Sequence, residues 1–442
     1  MTTENQPSAG DAATITECMV DGSFSLILLF LFLWGLYSQR LARIELTAPV
    51  AFVLLGLLLT EGLGVLDLAP SPGTVRTLAE VTLTWVLFTD AARLSFQALR
   101  PELGLYVRLL LLGLPMCIGL GTLLAMGLLP EVSGWSALFV GAALAPTDAA
   151  LGATMMVNPV VPGRIRRLIN VESGLNDGIA TPFVVLALAG VAAAGSTSST
   201  HASGSALVEI AIGLVYGTVL GLTAGWLMRS ALRRGWATEA VAGSGVLALA
   251  LLGYTSAIAI GGNGFIAAFT AGLAFGSMQG APQRVLLFVE QSASLLSVLV
   301  WLLFGAVLVP AAVAHLTWQA VLYAVLSLTA VRMVPVAVSL MGSGLDSRTV
   351  LFVGWFGPRG LASVIFGLLA IEELDPSASR TIVPVVACTV LLSVLVHGIT
   401  SAPLARRYGR ASRITGATPA GPAMDELPIR GMVAGTSPDH TP

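Results

Sequence analysis

The sequence predicts an all-α polytopic membrane protein of about 13 transmembrane helices, built as two inverted six-helix repeats with Pro-interrupted helices 5 and 12. Three observations carry this. The 442-residue chain is 55% hydrophobic and only 10% charged, whereas soluble domains carry about 25% charge. Apolar runs long enough to cross a bilayer follow one another along almost the whole chain, broken by arginine clusters or Gly/Pro/Ser turns. Arginines then concentrate in alternate loops, as they do when loops are sorted to two sides of a membrane.

The runs fall near 23–38, 48–66, 77–97, 103–128, 135–157, 164–195, 205–230, 238–260, 264–279, 285–310, 316–341, 347–371 and 381–405. The first follows a polar segment, 1–22, with Glu4, Asp11, Glu17 and Asp21 and no basic residue, so it reads as a retained helix and not a cleavable signal. One set of alternate loops collects 16 arginines, from Arg40 and Arg43 to Arg406, Arg407, Arg410 and Arg413, against Arg76 and Arg380 on the other. This predicts an extracytoplasmic N-terminus, a cytoplasmic C-terminus and a plasma-membrane location. Repeat one would cover about 23–195, a connector helix 205–230 and repeat two 238–405, within a transmembrane region of 23–410. Residues 411–442 mix Pro, Gly, Thr and charge without periodicity, as a short disordered tail does.

Several function classes drop out. Cys18, Cys117 and Cys388 have no paired spacing, and His201, His315, His397 and His440 are scattered, which supports neither a disulfide framework nor a thiolate or histidine metal site. No cofactor and no nucleic-acid partner is implied. The lipid bilayer is the one partner that composition itself requires.

Removing loop and tail residues leaves Asp90, Arg108, Asp148, Glu172, Asp177, Arg332 and Arg359 inside the spans. A charge at mid-bilayer costs at least about 2.5–3.5 kcal/mol, so each needs a partner, a cavity or a function. Arg108 lies near the start of its helix and can snorkel to the interface. Asp148 follows Pro146 and Thr147 in "GAALAPTDAALGATMMV", where proline interrupts the span and frees backbone carbonyls, hard oxygen ligands suited to a small cation. The same construction recurs in "LFVGWFGPRGLASVIFGLL", with Pro358 and Arg359. Two interrupted spans at matching places in two halves point to a transporter with its site where the breaks meet.

In "RLINVESGLNDGIATPFVVLALAG", Ser173 and Asp177 share one helical face, and Glu172 and Asn176 share the neighbouring one. The first face offers a hydroxyl and a carboxylate for a cation. On the second, Glu172 needs a cationic partner, and Arg359, also stranded at mid-membrane, is the expected one, forming a structural ion pair.

The segments "LFTDAARLSF" (87–96), "APTDAA" (145–150), "VESGLNDG" (171–178) and "WFGPRGLAS" (355–363) resemble, in this order, those of the NhaP-like monovalent cation/proton antiporters, kin of the sodium/hydrogen exchangers. The resemblance implies thirteen helices with a six-helix core and a dimerisation domain, hence a homodimer. It places Asp177, Asp148, Ser173 and the Thr147 backbone around a monovalent cation, with Asp90 as an additional acid nearby. It makes Glu172–Arg359 the supporting pair and Arg332 a further buried arginine of the preceding helix. Asn176 stands where electrogenic relatives carry Asp, and an amide cannot titrate, which implies electroneutral one-for-one exchange. Ala149 and Pro358 depart from the family's usual residues and leave the ligands in place.

The expected chemistry is competition between Na⁺ (or Li⁺ or K⁺) and protons for buried carboxylates, with Asp177 as the main exchange group. Burial favours the protonated form of a carboxylic acid, so protons and a dehydrated cation can displace one another. A passive cation channel is the main rival. An intramembrane aspartyl protease is weaker, because no Gly-x-Gly-Asp signature is present, and a serine protease using Ser173 and His397 is weaker still, because Ser173 lacks a Gly-x-Ser-x-Gly setting.

Overall fold

The computed structural model describes residues 9–42, 46–62, 64, 72–94, 99–129, 132–156, 158, 160–194, 199–374 and 376–414. Counting each interrupted span once, these residues make thirteen helices, and no strand occurs among them. They are α1 (Ala9–Ala42), α2 (Ala48–Leu57, continued by a wide turn Leu58–Gly62), α3 (Pro72–Ala92), α4 (Leu103–Val107 through Leu114–Leu128), α5 (Gly134–Ala143, then Ala149–Gly152 and Ala153–Met156) and α6 (Gly163–Ala194). The second half holds α7 (Ser199–Arg233), α8 (Glu239–Ala259), α9 (Gly264–Ser277), α10 (Gln283–Leu303 through Val309–Ala314), α11 (Trp318–Leu328 and Ala330–Ser339), α12 (Ser347–Trp355 and Leu361–Glu373) and α13 (Pro376–Ile414). Seven are long and apolar enough to cross a membrane, and four shorter stretches are apolar as well.

Two boundaries differ from expectation. α1 begins at Ala9 and not near residue 23, so the acidic segment that follows Gly10 is helical. α13 continues to Ile414, past the expected end near 405. Residues 411–414 of the expected tail are therefore helical, and the first eight residues and the rest of that tail, 415–442, lie outside the described residues.

Proline sets the irregularities inside spans. α4 widens into π-turns over Arg108–Gly113 just before Pro115, and α10 over Phe304–Leu308 just before Pro310. Proline has no N–H and crowds the carbonyl one turn back, so the ladder shifts register to pass it.

Packing divides the helices. α7 lies along α9 through Gly213, Gly217, Gly221 and Gly225, at each of which an added Cβ would strike a neighbouring chain, mostly α9 backbone. Such small-residue seams let helices close without a hydrophobic driving force. α9 in turn closes on α3: a Cβ at Gly272 or Gly276 would collide with the carbonyls of Phe88 or Ala92. α2 and α3 pack against α10, whereas α4 packs with α5, α5 with α6, and both α11 and α12 with α13. The two groups meet where α3 faces α6 and the second half of α12, where α7 lies against α6, and where the end of α10 reaches α13. Asp90 is on one side of that seam and Asp177 on the other.

Candidate cation site

α5 stops at Ala143 and resumes at Ala149; α12 stops at Trp355 and resumes at Leu361. Thr147–Asp148 and Pro358–Arg359 occupy the two gaps, and the gaps bind each other. Asp148 N–H donates to Pro358 O at 2.8 Å. Asp148 Oδ1 accepts from Ala150 N–H (2.9 Å) and Oδ2 from Leu361 N–H (3.3 Å). One carboxylate thus caps the restarting segments of both helices, where orphan N–H groups and dipole ends favour negative charge. A Cβ at Gly360 would collide with this carboxylate, so the close approach depends on that glycine.

The freed carbonyls are taken as well. Arg359, fully buried, donates from Nη1 to Ala145 O (2.7 Å) and, more weakly, Pro146 O (3.5 Å), and from Nη2 to Ser327 O (3.2 Å) beside the interruption of α11. Ser363 Oγ donates to Ala143 O at 2.6 Å. Arg359 N–H donates to Ser393 Oγ at 2.7 Å, and His397 Nε2 faces Trp355 O at 2.9 Å. At this break, where freed carbonyls are the expected cation ligands, those of Ala145 and Pro146 accept instead from Arg359.

This overturns the expected Glu172–Arg359 pair. Glu172 binds Arg332, Oε1 accepting from Nη1 at 2.6 Å and Oε2 from Nη2 at 2.9 Å, with both residues 2% exposed. The reason lies in where each arginine sits. Arg359 stands in a break that supplies acceptors from the backbone. Arg332 stands within the second segment of α11, where carbonyls are spent on the helix, and only a side chain can neutralise it.

On α6, Ser173 and Asp177 line a cavity of about 40 Å³ together with Asp90, Arg93 and Leu94 of the α3 end, Thr147–Ala150 of the α5 break, and Asn170 and Gly174. Thr147 Oγ1 lies 3.1 Å from Ser173 Oγ and accepts from Asn176 Nδ2 at 2.7 Å. Asn176 Oδ1 is buried with no hydrogen-bond partner among the described residues. Asn176 therefore ties α6 to the break and is not part of the cavity wall. Asp90, Asp148, Asp177, Ser173 and Thr147 are brought together, whereas Glu172, Arg332 and Arg359 stay outside the lining. No cluster of three His, Cys, Asp or Glu side chains able to hold a metal ion occurs among the described residues. An ion here would draw on hydroxyl and backbone oxygens as well as carboxylates. Arg108 donates from Nη1 to Met341 O at 2.5 Å.

Arg93 in the cavity wall and Glu290 behind it are not singled out by the sequence. Arg93, one of the 16 arginines expected on the arginine-rich side, lines the cavity and pairs with Glu290 of α10 at 2.9 Å. Glu290 stands in the apolar run "LLFVEQSASLLSVLV", where its charge is as stranded as that of Asp148, and that is the signal that marks it.

A helical membrane protein with two crossed interrupted helices and an acidic cavity at the crossing has the architecture of polytopic ion transporters. The profile of the family "sodium/hydrogen exchanger, transmembrane" matches residues 26–407, and the chain belongs to that family. It is 27% identical over 309 residues to a Na⁺/H⁺ antiporter of Schizosaccharomyces pombe, covering 62% of this chain and 65% of that one. It is 25% identical over 271 residues to the K⁺/H⁺ antiporter NhaP2 of Shewanella sp. (strain MR-4), covering 61% and 46%. The chain thus spans just under two thirds of the first relative's length and under half of the second's. The sodium proton antiporter MjNhaP1 of Methanocaldococcus jannaschii shares the fold, with a TM-score of 0.70 at 20% identity over 88% of this chain and 99% of that one.

Proposed function

We propose that this protein is a secondary transporter, not an enzyme, that exchanges a monovalent cation for protons across the plasma membrane, one for one and without net charge movement. The observation that carries the reading is the single cavity on which Asp90, Asp148 and Asp177 converge from three helices with Ser173 and Thr147. The printed names of its relatives support it. Those names include both Na⁺ and K⁺; Na⁺ is the first expectation, with Li⁺ and K⁺ as further substrates. The moved ions are cargo, and no cofactor is invoked.

Asp177 is the main exchange group. Asp148 has both oxygens on backbone N–H groups, which fix its carboxyl at the crossing of the two gaps as one wall of the site. A proton or a dehydrated cation then competes for Asp177, with the hydroxyls of Ser173 and Thr147 completing the shell. Alternating access follows if the α5–α6 side of the seam shifts against α3 only when the site is neutralised, because an empty charged site is costly to carry through the membrane. Asn176 holds Thr147 without contributing a titrating group, which favours electroneutral exchange. The arginine distribution favours an outside N-terminus and a cytoplasmic C-terminus, and the family resemblance favours a homodimer of two-repeat protomers joined internally by α7.

The test is proton movement in sealed inverted vesicles, read with a pH-sensitive dye and challenged with Na⁺, Li⁺ or K⁺. Saturable, cation-dependent proton efflux that is insensitive to an imposed membrane potential is expected, with Asp177→Asn losing at least about 100-fold of it. No response to any of the three cations overturns exchange. Potential-driven cation flux without counter-transport indicates a channel, and potential-sensitive exchange overturns the one-for-one stoichiometry.

A further inference from the structure

Resting on the exchange reading above, we infer that Glu290 is a positioning residue that holds the Arg93 guanidinium at the wall of the cation cavity and so sets the cation affinity of the site. Among the described residues, Arg93 is the one basic residue in the cavity lining, facing the same space as Asp90, Asp148 and Asp177. A guanidinium is itself a monovalent cation with a strong preference for carboxylates. In such a cavity it either tempers the acids from the side or becomes a tethered occupant of the place where the transported ion would bind. Which one happens depends on where its head is held.

Two features hold it. Its backbone is fixed, because Arg93 N–H donates to Thr89 O at 3.1 Å and α9 presses the carbonyls of Phe88 and Ala92 through Gly272 and Gly276. Its head is held by Glu290, whose Oε1 lies 2.9 Å from Nη1, the two side chains being 7% and 11% exposed. Glu290 is absent from the cavity lining, so it pulls from behind the wall. It projects from α10, which packs against α3, so the pair can persist while α3 shifts against α6. A carboxylate within an apolar helix is costly, and its ion pair with a cavity-wall cation gives that cost a purpose.

The experiment is cation-driven proton efflux in the same vesicles, comparing the wild type, Glu290→Gln and the double variant Glu290→Gln/Arg93→Gln. Releasing Arg93 toward the acids raises the apparent KM for the cation about tenfold, with maximal rate changed far less. Removing Arg93 as well brings KM back to within about threefold of the wild type. A merely structural role for the pair would lower the amount of folded protein and the maximal rate in both variants with KM unmoved, and that result overturns the inference. So does a raised KM that the double variant fails to rescue, or an unchanged Glu290→Gln. Should the wild type itself move no protons in response to any cation, exchange fails first and the inference falls with it; a normal wild type with any of the three patterns above rejects the inference alone.

Discussion

Arg332 and Arg359 are both buried, on adjacent helices of the same half, and they are neutralised by opposite means. Arg332 meets a carboxylate in a bidentate pair across to α6. Arg359 meets backbone carbonyls from the gap in α5 and from beside the gap in α11. An interrupted helix is a store of unpaired backbone groups, and a charge placed in it needs no counter-charge. The crossing is built on this in both signs: Asp148 caps two helix starts, and Arg359 closes two helix ends.

The largest expected effect follows from the arginine whose partners cannot be mutated away. Arg359→Met leaves three acceptors unpaired, each worth about 1–3 kcal/mol when buried, so a loss of roughly 5 kcal/mol is expected. That is comparable with the whole stability of many proteins. Thermal unfolding in detergent should show little or no cooperative transition, and no second side-chain substitution should rescue it. A variant that melts within a few degrees of the wild type would mean that the carbonyls find other donors.

Glu172→Gln is expected to be next, at about 3–5 kcal/mol, because it strands a buried charge. Here rescue is expected: Glu172→Gln/Arg332→Met removes the stranded charge and should recover most of the loss. A double variant as unstable as the sum of its parts would show that the pair is not coupled. The contrast between a rescuable and an unrescuable arginine is the comparison in experimental form.

How far the sequence reveals this depends on whether the determinant is local. Helix number and both breaks are legible because apolar runs and prolines act on their own neighbourhoods. Ser173 and Asp177 are legible as one face because helical spacing alone puts them there, and the cavity wall contains both. The partner of Glu172 is not legible. Two arginines are stranded in the membrane, and choosing between them requires knowing which carbonyls the breaks set free and how the gaps cross. The Ala145 and Pro146 carbonyls look available as ligands in a linear reading for the same reason: the donor that takes them stands more than two hundred residues away. Arg93 counts among the loop arginines in a linear reading because its partner, Glu290, stands on a helix distant in sequence.

The smallest expected effect separates charge from hydrogen bonding at the crossing. Ser363 gives Ala143 O what Arg359 gives Ala145 O, a donor for a freed carbonyl, but without charge and over a comparable distance of 2.6 Å. If backbone satisfaction alone matters, Ser363→Ala should cost about 1–1.5 kcal/mol, a shift of a few degrees in melting temperature. It should leave transport KM unchanged, because Ser363 stays out of the cavity lining. If a loss several times larger appears, the two gaps are held as one cooperative unit in which no donor is replaceable, and the distinction between charged and neutral repair would dissolve.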